Sequence, residues 1–153
     1  MREVISMSPQ PAAVLSHIGI CTSDLERSLR FYTEALGFTL ERSIDEIGAP
    51  FDQLTELPGV PCRVHYVKSG AMTIELIGYP QGAVTGSSER RPMNQLGFTH
   101  MTLIVTDIDA AAARVVQFGG QIHPQTRIDS PFGPILFCTD PDGVRIELFQ
   151  AAG

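Results

Sequence analysis

Two histidines and two glutamates stand where strand-like runs would place them on a shared face: His17 and Glu75 in the first half of the chain, His100 and Glu147 in the second. Glu147 interrupts the run Val144-Arg145-Ile146-Glu147-Leu148-Phe149. An unpaired carboxylate buried in such a strand costs several kcal/mol, so the position calls for a counter-charge, a metal or an open sheet face. Glu75 has the same setting, between Ile74 and Leu76. Two neutral imidazoles and two carboxylates suit one divalent cation (Fe, Co, Ni, Mn or Zn), with waters completing an octahedron and the carboxylates neutralising the charge. Singly, these residues have plainer roles: a core or rim histidine, a solvent-facing glutamate. Together, on matching strands of repeated halves, they form a candidate metal centre.

The elements that must position them recur. Residues 14–20 read as a strand with Ile18 and Ile20 on one face and His17 on the other. Thr22, Ser23 and Asp24 offer helix N-caps, Leu25, Leu29, Tyr32 and Leu36 follow at helical spacing, and Gly37 is placed for a left-handed C-cap. A strand is expected over 38–43, an irregular excursion with a short helix near 51–56 within 44–61, and a hairpin of 63–68 and 72–77 around Ser69-Gly70. The same grammar returns with a strand at 98–105, a cap at Thr106-Asp107, a helix over 108–118 stopped by Gly119-Gly120, strands near 121–127 and 135–139, the turn Asp140-Pro141-Asp142-Gly143 and the strand bearing Glu147. His17 and His100 are 83 positions apart, as are Gly37 and Gly120. The pattern is α+β: two paired βαβββ modules, spanning 14–78 and 97–150, joined by a linker over 79–96 and preceded by an N-terminal extension over 1–13. A curved mixed sheet with helices outside would turn all four polar residues toward one concavity.

Composition excludes several classes. The chain has 153 residues, 43% hydrophobic and 18% charged, which suits one soluble globular domain. No run approaches the roughly 20 apolar residues of a membrane span, and residues 1–10 lack the apolar core of a secretory signal. A net charge of −6 argues against a nucleic-acid partner. Cys21, Cys62 and Cys138 are too widely spaced for a metal knuckle and read as reduced thiols of a cytoplasmic protein. His65, in phase with Arg63, has an exposed cross-strand role or a site role, and His123, before Pro124, is expected at the surface. Arg145 shares the face of Glu147 nearer the turn, where it either holds a substrate anion or makes a rim ion pair.

Leu15-Ser16-His17-Ile18, the run from Asp24-Leu25-Glu26-Arg27-Ser28 to Leu36-Gly37-Phe38, Ile74-Glu75-Leu76, and Asp140-Pro141-Asp142-Gly143 through Ile146-Glu147-Leu148 resemble the motifs of the vicinal oxygen chelate superfamily. That superfamily includes glyoxalase I, methylmalonyl-CoA epimerase, extradiol dioxygenases and some antibiotic-resistance proteins. The resemblance covers about residues 14 to 150. It implies paired modules around a metal held by His17, Glu75, His100 and Glu147, the set of bacterial glyoxalase I, and a homodimer. In glyoxalase I an Arg four residues after the first His and an Asn four after the first Glu serve glutathione; here these positions are Cys21 and Tyr79. The expectation is therefore a metal-dependent isomerase, epimerase or lyase that enolises a small carbonyl or carboxylate substrate without a glutathione tail. Glu147 is the expected base with Glu75 its counterpart, and Arg145, Tyr79 and Phe132 are expected to bind substrate. The alternatives are a metal-free protein that sequesters an aromatic drug or metabolite and an Fe(II) ring-cleaving dioxygenase, the latter needing only two His and one carboxylate.

Overall fold

A computed structural model describes residues 13–151, so all but one residue of the expected N-terminal extension lies outside it. The first half runs β1 (Ile18–Thr22), α1 (Leu25–Arg30), β2 (Thr39–Ile47), α2 (Phe51–Leu54), β3 (Cys62–Ser69) and β4 (Met72–Gly78). The second runs β5 (Met101–Ile104), α3 (Ile108–Gln117), β6 (Gln121–Ile122), β7 (Ile128–Ser130), β8 (Gly133–Thr139) and β9 (Arg145–Phe149). The strand orders β1-β4-β3-β2 and β5-β9-β8-β6, with β7 also on β8, repeat one topology: the first strand lies parallel to the last and the others are antiparallel. The fold is α+β, as the sequence pattern indicated.

Strand alternation sets the faces. Ile74 and Leu76, and likewise Ile146 and Leu148, are buried, while Glu75 and Glu147 point the other way and are half-buried. The helices cover the buried faces, and one apolar core joins the halves, with Phe31, Tyr32, Ile74 and Leu76 packing with Val115, Leu136, Ile146 and Leu148. Asp24 and Asp107 cap α1 and α3, their carboxylates accepting backbone N–H from Arg27 (3.0 Å) and from Asp109 and Ala110 (3.0 and 2.9 Å).

β1 starts at Ile18 rather than at residue 14, and β5 covers Met101–Ile104 rather than 98–105; four further details depart from the sequence expectations. The first helix does not stay α to Leu36: residues Phe31–Ala35 form a π-helical turn, with the Leu36 N–H reaching the Phe31 carbonyl at 3.3 Å. The wider turn lets adjacent Phe31 and Tyr32 both be fully buried, their rings edge to face at 5.5 Å. The left-handed glycine that ends α3 is Gly119 (φ 90°), so Gly37 (φ 75°) matches Gly119 and not Gly120. Gly120 is needed for space, because a Cβ there would lie 2.5 Å from the Thr139 carbonyl oxygen and 2.7 Å from Phe31. β2 runs on to Ile47 because a register shift between Ile44 and Ile47 breaks the alternation without ending the pairing with β3. The strand expected near 121–127 is cut by Pro124, which opens a 3₁₀ turn over Pro124–Thr126; there the Thr126 hydroxyl accepts the Phe137 N–H at 3.0 Å in place of the ladder.

The turn at residues 140–143 clamps the halves together. Asp142 accepts the Ser23 N–H at 3.0 Å, the Ser23 hydroxyl at 2.5 Å and Arg27 at 2.8 Å. Buried Asp140 accepts N–H bonds from Asp142 and Val144 (2.9 and 2.8 Å) and the Tyr32 hydroxyl at 3.1 Å. Burial pushes its carboxyl up to about 6, against the pull of the Val144 and Asp142 N–H bonds. A carboxyl whose folded pKa lies above its unfolded value stabilises the fold fully below the unfolded pKa, and that contribution fades as pH rises through the folded one. The wild-type stability relative to Asp140→Asn is therefore expected to fall by about 2 kcal/mol between pH 4 and pH 7, measured by urea unfolding of both proteins across that range.

Candidate metal centre

His17 leads into β1, and Gly19 of that strand pairs with Glu75 on β4; His100 leads into β5, and Thr102 pairs with Glu147 on β9. The two halves repeat one polar arrangement. His17 Nε2 lies 3.4 Å from Glu75 Oε2, and His100 Nε2 lies 3.7 Å from Glu147 Oε2. The Nδ1 of each ring meets the hydroxyl of the preceding residue, Ser16 at 3.1 Å and Thr99 at 3.0 Å. Such an Nδ1 bond orients the ring and leaves Nε2 free to ligate. The other oxygen of each carboxylate accepts a hydroxyl, from Tyr66 to Glu75 at 2.5 Å and from Thr102 to Glu147 at 3.3 Å. An aromatic ring braces each imidazole edge-on, Tyr66 at 5.6 Å from His17 and Phe137 at 5.2 Å from His100.

Both pairs suit a divalent ion chemically. Each presents one imidazole nitrogen and one carboxylate oxygen, half-exposed on an open sheet face, with side-chain exposures of 38% and 19% for His17 and Glu75 and 25% and 21% for His100 and Glu147. Donors that share an ion at about 2.1 Å lie roughly 3.0 Å apart across a right angle, near the separations found. Within one chain, however, each pair stands alone: among the described residues no group of three His, Cys, Asp or Glu converges. Among the described residues the four expected ligands thus stand as two separate pairs.

The remaining residues singled out by sequence fall in different places. Arg145 is buried on the Glu147 face, its guanidinium 5.2 Å from the Phe137 ring centre and donating to the Arg91 carbonyl at 2.5 Å; among the described residues it makes no rim ion pair. Tyr79 is half-buried beside Cys62 in a cleft at the end of the first sheet, and burial followed by Cys62, Cys21 and Glu75 raises its pKa. Phe132 is 74% exposed at the β7–β8 turn, in the other half of the chain. His65 is buried against the helix side, its Nδ1 2.8 Å from Ser43 Oγ, which answers the choice left open by its phase with Arg63. His123 is half-buried rather than at the surface. The cysteines are free, and burial raises the pKa of each thiol, Cys138 to about 12.

Three contributors were overlooked. Tyr66 faces Glu75 directly, a pairing that the Ser69-Gly70 turn already implies by its register. Arg90 and Arg91 come from the segment between the halves, where the only signal was a pair of basic residues in a stretch without periodicity. This segment folds onto the second half because Gly143 (φ 85°) carries no side chain, and a Cβ there would collide with the Ser88 carbonyl oxygen.

Comparison with known proteins agrees with this architecture. The chain is 30% identical over 153 residues to a lactoylglutathione lyase of Pseudomonas putida (90% of this chain, 84% of that protein) and 31% identical over 144 residues to one of Salmonella typhimurium (90% and 92%). A glyoxalase family protein from Bacillus cereus shares its fold with a TM-score of 0.82 at 18% identity, covering 97% of this chain and 100% of the other. A fosfomycin resistance protein from Mesorhizobium loti does so with a TM-score of 0.60 at 19% identity, covering 91% and 92%. The profile of the Glyoxalase/Bleomycin resistance protein/Dioxygenase superfamily matches residues 14–148, and the chain belongs to that superfamily.

Proposed function

We propose that two copies of the chain complete the centre, the His17–Glu75 pair of one meeting the His100–Glu147 pair of the other. In this reading the protein is a divalent-metal-dependent isomerase or lyase for a small carbonyl or carboxylate compound. The observation that carries it is the repetition of hydroxyl, imidazole, carboxylate and hydroxyl on two open sheet faces, each holding half of a ligand set. A two-fold homodimer presents both surfaces twice and so closes two sites. Ile104 and Ile128, on the Glu147 face, are 76% and 54% exposed, apolar surface of the kind that a partner covers.

When bound, the cation supplies an electrophile that polarises a substrate oxygen and eases loss of a proton from the neighbouring carbon. The side chains do the rest. Glu75 is held by the short bond from Tyr66, which fixes it as a ligand; Glu147 has only the longer Thr102 contact on its second oxygen and is the freer of the two to move and carry the proton. Arg145, two residues along β9, anchors a substrate anion. Cys21 and Tyr79 supply neither a guanidinium nor an amide for glutathione, which favours a substrate without that tail.

The test is deuterium exchange. Metal-loaded protein in D₂O is expected to catalyse exchange next to the carbonyl of a 2-oxo or 2-hydroxy carbonyl compound, followed by proton NMR. Glu147→Gln is expected to keep its metal by mass spectrometry yet slow exchange by about 10²–10⁴-fold, the usual worth of a positioned base. No exchange with any such compound that lacks glutathione, together with turnover of the glutathione hemithioacetal of methylglyoxal, would overturn this reading in favour of the activity named for the Pseudomonas and Salmonella relatives.

A further inference from the structure

Beside the His100–Glu147 pair lies a group of cationic donors that form no ion pair among the described residues. Arg90, from the segment between the halves, and Arg145 line one cleft of about 490 Å³ with Thr126 and Phe137. One terminal nitrogen of Arg90 and the Nε2 of His123 are buried without a hydrogen-bond partner among the described residues. His123 stands behind the cleft wall, its backbone N–H donating to the Phe137 carbonyl at 3.0 Å and its carbonyl accepting the Thr126 N–H at 2.9 Å; burial first, then Arg90 and Arg145, hold its pKa below the usual histidine value. Among the described residues no ion pair reaches Arg90, Arg91 or Arg145; Arg30, Arg42 and Arg114 also lack one, but only in this cluster do two guanidinium groups line one cleft. Shortage of acids is not the reason, since the chain carries 17 Asp and Glu against 11 Lys and Arg.

Buried donors are normally satisfied, and like charges gathered away from water are unfavourable unless a counter-charge joins them. The arrangement is built to receive that counter-charge from outside the chain. We propose that Arg90, Arg145 and His123 form a subsite for an oxyanion, a carboxylate or a phosphate, carried by the substrate. Guanidinium groups match the paired oxygens of both anions, and the imidazole adds a further donor. The subsite adjoins the metal centre through Phe137, which packs on His100 at 5.2 Å and pairs with Glu147 in the β8–β9 ladder. An anionic substrate held there lies across one aromatic ring from the carboxylate assigned to proton transfer. The role of the anion in catalysis rests on the function proposed above; its binding does not, because neither metal nor turnover is needed.

Chelator-treated protein can be titrated by calorimetry with inorganic phosphate and, separately, with acetate, at ionic strength held constant with sodium chloride, while NMR follows the His123 imidazole. Saturable binding that moves the His123 signals is expected, and the tighter of the two anions identifies the class. Arg90→Met and His123→Asn should each weaken binding at least about tenfold, as loss of a charge-assisted bond does. Arg90→Lys should recover part of it, and Arg30→Met, which removes an exposed charge elsewhere, should bind as wild type does. Equal affinity in Arg90→Met and wild type, an equal loss in Arg30→Met, or His123 shifts no larger than chloride alone gives, would overturn the subsite. Anion binding that survives while deuterium exchange is absent would leave the subsite standing and remove only the proposed reaction.

Discussion

Neither His17→Ala nor His100→Ala is expected to hold a divalent ion stoichiometrically, yet unfolding the two variants together and refolding them as a mixture should restore binding. Each substitution removes one donor from a half-site that has only two, and because loss of an outer-sphere partner already costs 10–100-fold, affinity should fall by at least about hundredfold. The mixture behaves differently because the intact half-sites lie on different chains. A mixed dimer joins the His17–Glu75 pair of one variant to the His100–Glu147 pair of the other, while its second site carries both lesions. Random pairing makes half the dimers mixed, so about a quarter of the wild-type sites should return. Competition against a chromophoric chelator, with metal counted by mass spectrometry, reads this directly. No recovery in a mixture shown to contain mixed dimers would place the sites within single chains.

Phe31→Ala should be the most damaging single core truncation, costing about 3–5 kcal/mol as large-to-small aromatic changes do. Phe31 is fully buried, stacks edge-on against Tyr32, and lies where a side chain at Gly120 would otherwise sit, so its ring fills the joint between the two halves. Truncation leaves a cavity that neither sheet can close without pulling the other with it. Leu54→Ala is the matched control: that side chain is 80% exposed, and the change should stay within about 0.5 kcal/mol of wild type. Urea unfolding of both variants separates the effects, and a loss below 1 kcal/mol for Phe31→Ala would mean that the joint repacks.

Much of this could be read in the chain because two periodicities did the work. Strand alternation put Glu75 and Glu147 opposite the buried isoleucines and leucines beside them, and the aspartate caps marked both helices. What escaped was set by distance or by local irregularity. Alternation says which way a side chain points but not which sheets face each other, so it left open whether the modules pair within one chain or between two; among the described residues the ligands stand as two pairs. The bulge in β2 hid four residues of strand, 44–47, behind a broken pattern. Arg90 is brought to the second sheet by a backbone contact at Gly143, and a contact between distant backbones leaves no periodic trace. His65 looked exposed because it alternated with Arg63, yet both share the helix-side face, where the longer side chain reaches water and the imidazole does not.

The π turn after α1 has a consequence for how the two halves of this duplicated chain stay matched. From cap to closing glycine, the first helical stretch is one residue longer than the second, Asp24 to Gly37 against Asp107 to Gly119. In an unbroken α-helix one added residue swings everything beyond it by about 100°. Here the surplus is taken up inside a single widened turn, so the strands that follow stay in frame and Glu75 still opposes its histidine. The two halves thus differ in length while their ligand geometry stays matched: the extra residue is taken up like slack in a rope, on the side of the sheet away from the chemistry.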